Sequence, residues 1–190
     1  MRILMLGNSF TAANDLPQRL AQLTGAEVAA HTRGGARLAE QLNPKTKLGA
    51  RTKAALEGEP WDFVILQEMS HGPISSPQSF FTSVKRLCEW IRAKGATAVL
   101  FATWAYEKDS AKLATKGWNY ENMARQLFAA YRQAAQENHA LLAEVGQRFY
   151  DLSPTHPLYA ADGVHPNEEG TQLAAEVMAE TILTHKELTP

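Results

Sequence analysis

The sequence predicts an α/β domain in which helices cover both faces of a central parallel sheet. Short apolar runs such as residues 62–66 (Asp-Phe-Val-Ile-Leu) are typical of strands buried on both faces. Stretches with helical spacing separate these runs, and helices of that length imply right-handed crossovers between parallel strands. No internal repeat is found, which excludes a repeat architecture. We therefore expect a flavodoxin-like three-layer α/β/α sandwich with about five strands.

The elements follow in order along the chain. In the first half, strands are expected at residues 2–6, 27–31 and 62–66, and helices at 15–23 and 45–56. Asp15 and Gln18 have the spacing of a capping box at the start of the first helix. Gly58 is expected to end the second helix. The second strand is the weakest of the three because it contains few β-branched residues.

The same alternation continues in the second half of the chain. Strands are expected at residues 97–103 and 140–145, and helices at 78–93, 118–138 and 168–183. Gly95 is expected to end the first of these helices, and Asn167 to cap the last. Residues 104–117 and 146–166 are expected to be loops at the carboxyl ends of strands, where open α/β sheets bind their ligands.

Composition limits the classes of partner. The chain has 190 residues, 45% of them hydrophobic and 21% charged, which predicts one domain over residues 1–190. A net charge of −1 gives no reason to expect a nucleic-acid partner. No apolar run reaches the ~20 residues of a membrane span, and residues 1–7 lack a signal-peptide pattern, so a cytoplasmic protein is expected. The lone Cys88 is expected to be a buried core residue.

Candidate chemical groups lie where the predicted strands end. Ser9 follows the first strand, Gly35 follows the second and Gln67 follows the third, while Asp162 and His165 lie in the last loop. A serine nucleophile needs a base within reach, and that base needs an acceptor to fix its tautomer. Each residue alone also has a structural interpretation: a turn serine, a turn glycine, an amide under a loop, or a polar loop before a helix. The convergence of all of them on one sheet edge favours a serine hydrolase.

The motifs resemble those of the SGNH (GDSL-like) hydrolases. Gly7-Asn8-Ser9-Phe10 is similar to the family's first block, with Asn8 where aspartate is commoner, and residues 162–167 (Asp-Gly-Val-His-Pro-Asn) are similar to its last block. Together with the glycine after strand two, the resemblance spans nearly the whole chain. The chain looks closest to a bacterial branch that shares Gly-Asn-Ser-Phe and Leu-Gln-x-x-Ser. The resemblance implies Ser9 as nucleophile, His165 as base and Asp162 as its partner.

The third block departs from the family pattern. Residues 67–71 (Gln-Glu-Met-Ser-His) stand where Gly-x-Asn-Asp is usual, and they resemble the Gln-Gly-Glu-Ser form of some carbohydrate esterases. That analogy implies an oxyanion hole built from Ser9, Gly35 and Gln67, although His71 occupies the register of the missing asparagine. Phe10, His71 and Trp104 are the expected substrate-binding neighbours.

These residues predict an ester hydrolase that acts on a small molecule without a metal or other cofactor. One alternative is a non-catalytic domain in which Ser9 and Gly35 hold a small molecule or an anion. A second is a metal hydrolase using His71, Asp162 and His165, which lacks the usual ligand spacing. The sequence leaves open whether the ester is an acetylated sugar, a short acyl ester, a thioester or a lysophospholipid, and it leaves the oligomeric state open.

Overall fold

A computed structural model describes residues 1–188 and contains a five-stranded parallel sheet. The strands are β1 (Arg2–Gly7), β2 (Glu27–Thr32), β3 (Phe63–Leu66), β4 (Thr97–Phe101) and β5 (Leu141–Ala143). Their order in the sheet is β2-β1-β3-β4-β5, and every neighbouring pair is parallel. The expected α/β/α class and the five strands are confirmed.

Ten α-helices connect and cover the strands within the described residues. They are α1 (Ser9–Ala12), α2 (Leu16–Thr24), α3 (Leu38–Gln41), α4 (Lys47–Gly58), α5 (Gly72–Ser75), α6 (Pro77–Ala93), α7 (Ala111–Thr115), α8 (Tyr120–Asn138), α9 (Val145–Leu152) and α10 (Glu168–Leu188). Helix α2 packs against α10, and α6 packs against α8. None of the helices in residues 1–188 is both long enough and apolar enough to cross a bilayer.

The core is centred on the sheet. Consecutive residues of a strand point to opposite faces, and all four residues of β3 are buried, so helices must cover both faces. Cys88 lies in this core, where burial raises the pKa of its thiol to about 11 and makes it unreactive at neutral pH. The prediction of a structural cysteine is confirmed.

Two local predictions were wrong. Asp15 does not cap a helix with its side chain, because it lies in a 3₁₀ turn with φ of 58°, and Pro17 removes one of the amides a cap would serve. The segments expected as loops, residues 104–117 and 146–166, are not all loop, since α7 covers Ala111–Thr115 and α9 covers Val145–Leu152. The expected domain of residues 1–190 includes 189 and 190, which lie outside the described residues.

The strand order creates one point where the chain reverses direction across the sheet. From β1 the chain moves outward to β2 and then returns to β3 on the other side of β1. Crevices form at such reversals, outside the carboxyl ends of the strands. The loops after β1, β2 and β3 therefore meet at one edge.

Candidate active site

The turn after β1 presents Ser9 at this edge. Asn8 caps α1, because its Oδ1 accepts a hydrogen bond of 3.1 Å from the Phe10 amide. A Cβ atom on Gly7 would lie 2.2 Å from Thr11 Oγ1 and 2.7 Å from Gln67 Oε1. Only glycine therefore lets the strand pass this closely over the side chains beneath it. The close passage allows the chain to turn straight from the strand into Ser9.

The loop before α10 brings a carboxylate against an imidazole. Asp162 Oδ1 accepts hydrogen bonds from the amides of Val164 and His165, at 3.0 and 2.9 Å. Its other oxygen, Oδ2, lies 2.6 Å from His165 Nδ1. Gly163 makes this bend with φ of +65°, a conformation that L side chains rarely adopt. The three-residue spacing is thus a compact turn in which the carboxylate fixes the imidazole.

The two segments meet through one hydrogen bond. Ser9 Oγ lies 2.9 Å from His165 Nε2. Because the Asp162 carboxylate can only accept, the proton of a neutral His165 belongs on Nδ1, and Nε2 is left to accept the Ser9 hydroxyl proton. Serine, histidine and aspartate therefore form a continuous hydrogen-bonded row in the order that proton transfer from a serine requires.

The charge of Asp162 is fixed by its partners. Partial burial opposes its ionisation, but hydrogen bonds from the His165 side chain and from the amides of Val164 and His165 lower its pKa to about 2. Asp162 is consequently a carboxylate across the neutral range and well into acid. It can stabilise positive charge on His165 without taking up the proton itself.

Gln67 lies beneath the Ser9 turn. Its side chain is 1% exposed, and Oε1 accepts hydrogen bonds of 2.9 Å from the Asn8 amide and from Thr11 Oγ1. The amide nitrogen donates to the backbone carbonyl of Glu68. The Glu68 carbonyl uses one of the two amide protons of Gln67, so its expected role as an oxyanion donor stays a prediction. Gln67 also ties the end of β3 to the turn that carries Ser9.

Asn8 joins the loop after β2 to the same turn. Its Nδ2 donates a 3.0 Å hydrogen bond to the Ala36 carbonyl, which an ionised aspartate at this position could not do. Gly35, one residue earlier, is exposed and has φ of +66°. Within residues 1–188, neither the Ser9 amide nor the Gly35 amide donates a hydrogen bond to another protein group. Sequence reasoning noted Asn8 only as a replacement for the commoner aspartate and missed this connection.

Glu68 is a second residue that the sequence interpretation missed. Its carboxyl group is buried and accepts from the amides of Met69 and Leu38, at 2.7 and 3.2 Å. Burial raises its pKa, although those two amides act in the opposite direction. The signal in the sequence is an acidic residue directly after a strand that is apolar on both faces. Glu68 links the loops after β2 and β3 under the site.

Trp104 and Phe10 are core residues, which corrects their expected role as substrate contacts. Trp104 is 1% exposed and stacks between Phe10 and Phe149, at ring-centroid distances of 4.6 and 4.0 Å. Its Nε1 donates to the Val164 carbonyl at 3.0 Å. Phe10 also meets the His165 ring edge-on at 5.4 Å. The stack supports the histidine loop from below and offers almost no surface to a substrate.

His71 remains accessible at the mouth of the cleft. It is half-buried, with its ring 6.4 Å from that of Tyr106 and 5.4 Å from that of Trp118. Its Nδ1 contacts Ser75 Oγ at 2.9 Å, and the Ser75 hydroxyl donates to the His71 carbonyl, so Nδ1 carries the imidazole proton. Over residues 1–188, no three His, Cys, Asp or Glu side chains are grouped as a metal site.

Comparisons with known proteins identify a family for the chain. A profile of the GDSL-like lipase/acylhydrolase family matches residues 5–173. A solved structure from Slackia heliotrinireducens, assigned to the SGNH hydrolases, is 53% identical, with a TM-score of 0.93 over 96% of this chain and 98% of that one. A search of curated proteins finds none with significant similarity.

More distant structures share the fold. A DUF4886 family protein from Bacteroides uniformis is 20% identical, with a TM-score of 0.75 over 97% of this chain and 83% of that one. An acetylxylan esterase from Geobacillus stearothermophilus is 15% identical, with a TM-score of 0.68 over 95% of this chain and 93% of that one. The match over most of the sequence establishes that the chain belongs to the GDSL-like lipase/acylhydrolase family and is a hydrolase of the SGNH superfamily.

Proposed function

We propose that the chain is a serine ester hydrolase with Ser9 as nucleophile, His165 as general base and Asp162 as the residue that orients His165. The observation that carries the proposal is the hydrogen-bonded row from Ser9 Oγ through the imidazole to the Asp162 carboxylate, at 2.9 and 2.6 Å. Both distances fall within the range expected for a nucleophile and its base.

The geometry supports a two-step acyl transfer. Ser9 Oγ attacks the ester carbonyl carbon while its proton moves to His165 Nε2, and the resulting imidazolium is stabilised by Asp162. The C–O bond to the alcohol then breaks, and His165 returns the proton to the leaving oxygen. Water repeats the sequence on the acyl-enzyme, which releases the acid and regenerates Ser9. A water molecule is the only co-reactant that this cycle needs.

The oxyanion of each tetrahedral intermediate needs hydrogen-bond donors. The Ser9 and Gly35 amides support this role, because both lie at the site edge and neither is used by another group in residues 1–188. The loss of one such donor typically lowers kcat by about 10² to 10³. We assign Gln67 the task of holding the turn, since its contacts run to Asn8, Thr11 and Glu68.

The substrate is proposed to be an acyl or acetyl ester. The Geobacillus stearothermophilus neighbour is named an acetylxylan esterase, but at 15% identity it supports only the shared fold. The second candidate function, a binding domain without catalysis, is less well supported, because anion binding by Ser9 and Gly35 needs neither Asp162 nor His165.

Labelling with a fluorophosphonate probe tests the proposal. Wild type should be labelled and should hydrolyse p-nitrophenyl acetate, while Ser9→Ala should lose both properties and still unfold at the same denaturant concentration. Ser79→Ala, an exposed serine on α6, is the matched control and should behave as wild type. A folded wild type with neither labelling nor turnover would instead support the binding domain.

A further inference from the structure

Three basic side chains lie near enough to His71 for their positive charges to lower its pKa. Arg37 lies on the loop after β2, and Lys112 and Lys116 lie on or directly after α7. Lys116 Nζ is 5.8 Å from the centre of the Trp118 ring, which in turn packs against His71. We call the surface formed by Arg37, His71, Lys112 and Lys116 the cationic face.

Two close contacts connect the cationic face to the Ser9 site, one at Arg37 and one at α7. Arg37 directly follows Ala36, whose carbonyl accepts the Asn8 hydrogen bond next to Ser9. Ser110, which caps α7, lies close to the Asp162–His165 loop. A Cβ atom added to Gly163 would lie only 2.6 Å from the Cβ of Ser110. A substrate whose ester reaches Ser9 can therefore extend toward the cationic face.

The charges of this face have no ion-pair partner in residues 1–188, although Arg37 is close enough to the buried Glu68 to lower the pKa of its carboxyl group. Within residues 1–188, Arg37, Lys112 and Lys116 form no ion pair, whereas their neighbours Arg33 and Lys108 are paired with Glu40 and Glu121. The chain as a whole has 19 basic and 20 acidic residues, so a general excess of positive charge does not explain the cluster.

The environment of His71 shows the sign of the local field. Burial lowers the pKa of His71, and the positive charges of Lys116, Arg37 and Lys112 lower it further, with no carboxylate acting against them. The nearby Glu68 directs both carboxyl oxygens to backbone amides within the protein. The Glu107 carboxylate lies against Gly163, next to Ser110, and is not among the charges that act on His71. A cleft with charge of one sign along its wall attracts ligands of the opposite sign.

We propose that the cationic face binds an anionic group of the ester substrate, so that the enzyme prefers esters that carry a negative charge. This inference rests on the proposed esterase function and specifies its substrate class. The neighbouring Trp118 ring gives the chain between the ester and the anion an apolar surface to lie against.

Matched substrate pairs that differ only in charge test the proposal. On the acyl side the pair is mono-p-nitrophenyl adipate and its methyl ester, and on the alcohol side it is 4-acetoxybenzoate and its methyl ester. Each exposed charge pair contributes a few-fold at most, so three cations predict a preference of about tenfold in kcat/KM for the charged member of one pair. The pair that shows the preference identifies the side of the ester that carries the anion. Added salt should reduce the preference, because exposed charges are screened.

Substitution identifies the residues responsible. Arg37→Gln and Lys116→Gln should each lower the charged-to-neutral ratio of kcat/KM about threefold. Lys94→Gln, an exposed lysine just before β4 at the opposite sheet edge, is the control and should keep the wild-type ratio. Ser9-dependent hydrolysis with no preference for charge in either pair, or a preference that both substitutions leave unchanged, would overturn this inference alone. Absence of hydrolysis of all four esters would overturn the proposed function, and this inference with it.

Discussion

Two aromatic clusters border the Ser9 turn, and they differ in burial and in the polar groups they contact. The inner stack, Phe10, Trp104 and Phe149, is at most 2% exposed and reaches the site only through the edge of His165. The outer cluster, His71, Tyr106 and Trp118, has two half-buried members and lies among unpaired basic side chains. Both clusters come from segments that follow the carboxyl ends of strands.

The difference shows that an aromatic residue in a catalytic loop can belong to either the core or the cleft. Phe10 adjoins Ser9 in sequence, yet its ring packs inward against Trp104. His71 lies far from Ser9 in sequence, and its half-buried ring keeps part of its surface exposed. The inner stack should therefore control stability and the position of His165, and the outer cluster should control substrate binding. The following predictions test that division, from the largest expected effect to the smallest.

Trp104→Ala should have the largest effect. It removes the centre of a fully buried stack and the donor to the Val164 carbonyl, and comparable core truncations cost about 3–5 kcal/mol in the free energy of unfolding. Urea unfolding measures the loss. Trp104→Phe keeps a ring and loses only the hydrogen bond, so it should cost about 1–3 kcal/mol. A cost under about 1 kcal/mol for the alanine variant would contradict the core assignment.

Gln67→Met should have an intermediate effect. It keeps most of the side-chain volume but leaves the buried Asn8 amide without an acceptor, at a cost of about 1–3 kcal/mol in stability. Because the Ser9 turn loses its anchor, kcat should fall by more than KM rises. Gln78→Met, at an exposed site on α6, should change neither quantity. An unchanged kcat would show that Gln67 does not hold the turn.

Trp118→Ala should have little effect on stability. The side chain is half-buried, so its removal should cost about 1 kcal/mol or less, while KM for aryl esters should rise a few-fold through lost contact area. Steady-state kinetics and urea unfolding on the same preparation separate the two effects. A stability loss as large as that of Trp104→Ala would end the distinction between the clusters.

His71→Gln should have the smallest effect of these substitutions, and the pH profile of its activity should distinguish the role of His71 from that of His165. Activity should fall toward acid pH, because the proposed mechanism needs an unprotonated Nε2 on His165, while Asp162, with its pKa of about 2, stays ionised. Burial and nearby cations hold the pKa of His71 below its ordinary value, so His71 stays neutral to a lower pH than an ordinary histidine does. His71→Gln should therefore leave the shape of the profile unchanged. A shifted acid limb in this variant would show that His71 contributes to proton transfer.

The regular elements were largely predictable from local pattern. All five strands and the helices α2, α4, α6, α8 and α10 follow from apolar spacing, with ends that differ by a few residues. Helix α9 was missed although Val145, Phe149 and Leu152 have helical spacing, because Pro154 and Pro157 dominate the composition of that segment. Composition averaged over such a segment cannot separate an eight-residue helix from the proline-rich turn that follows it.

The sequence by itself determined the order of strands and helices, the glycines that permit the turns at Ser9 and Asp162, and the four blocks that identify the family. These depend on local conformation and on spacing along the chain, which residue types encode directly. Only the tertiary structure decided which way the side chains of Gln67, Phe10, Trp104 and His71 point. That choice depends on whether a partner from a distant segment takes up each polar group or covers each ring, such as Asn8 above Gln67 and Phe149 against Trp104. Packing between segments more than forty residues apart is not written in the sequence around any one of them.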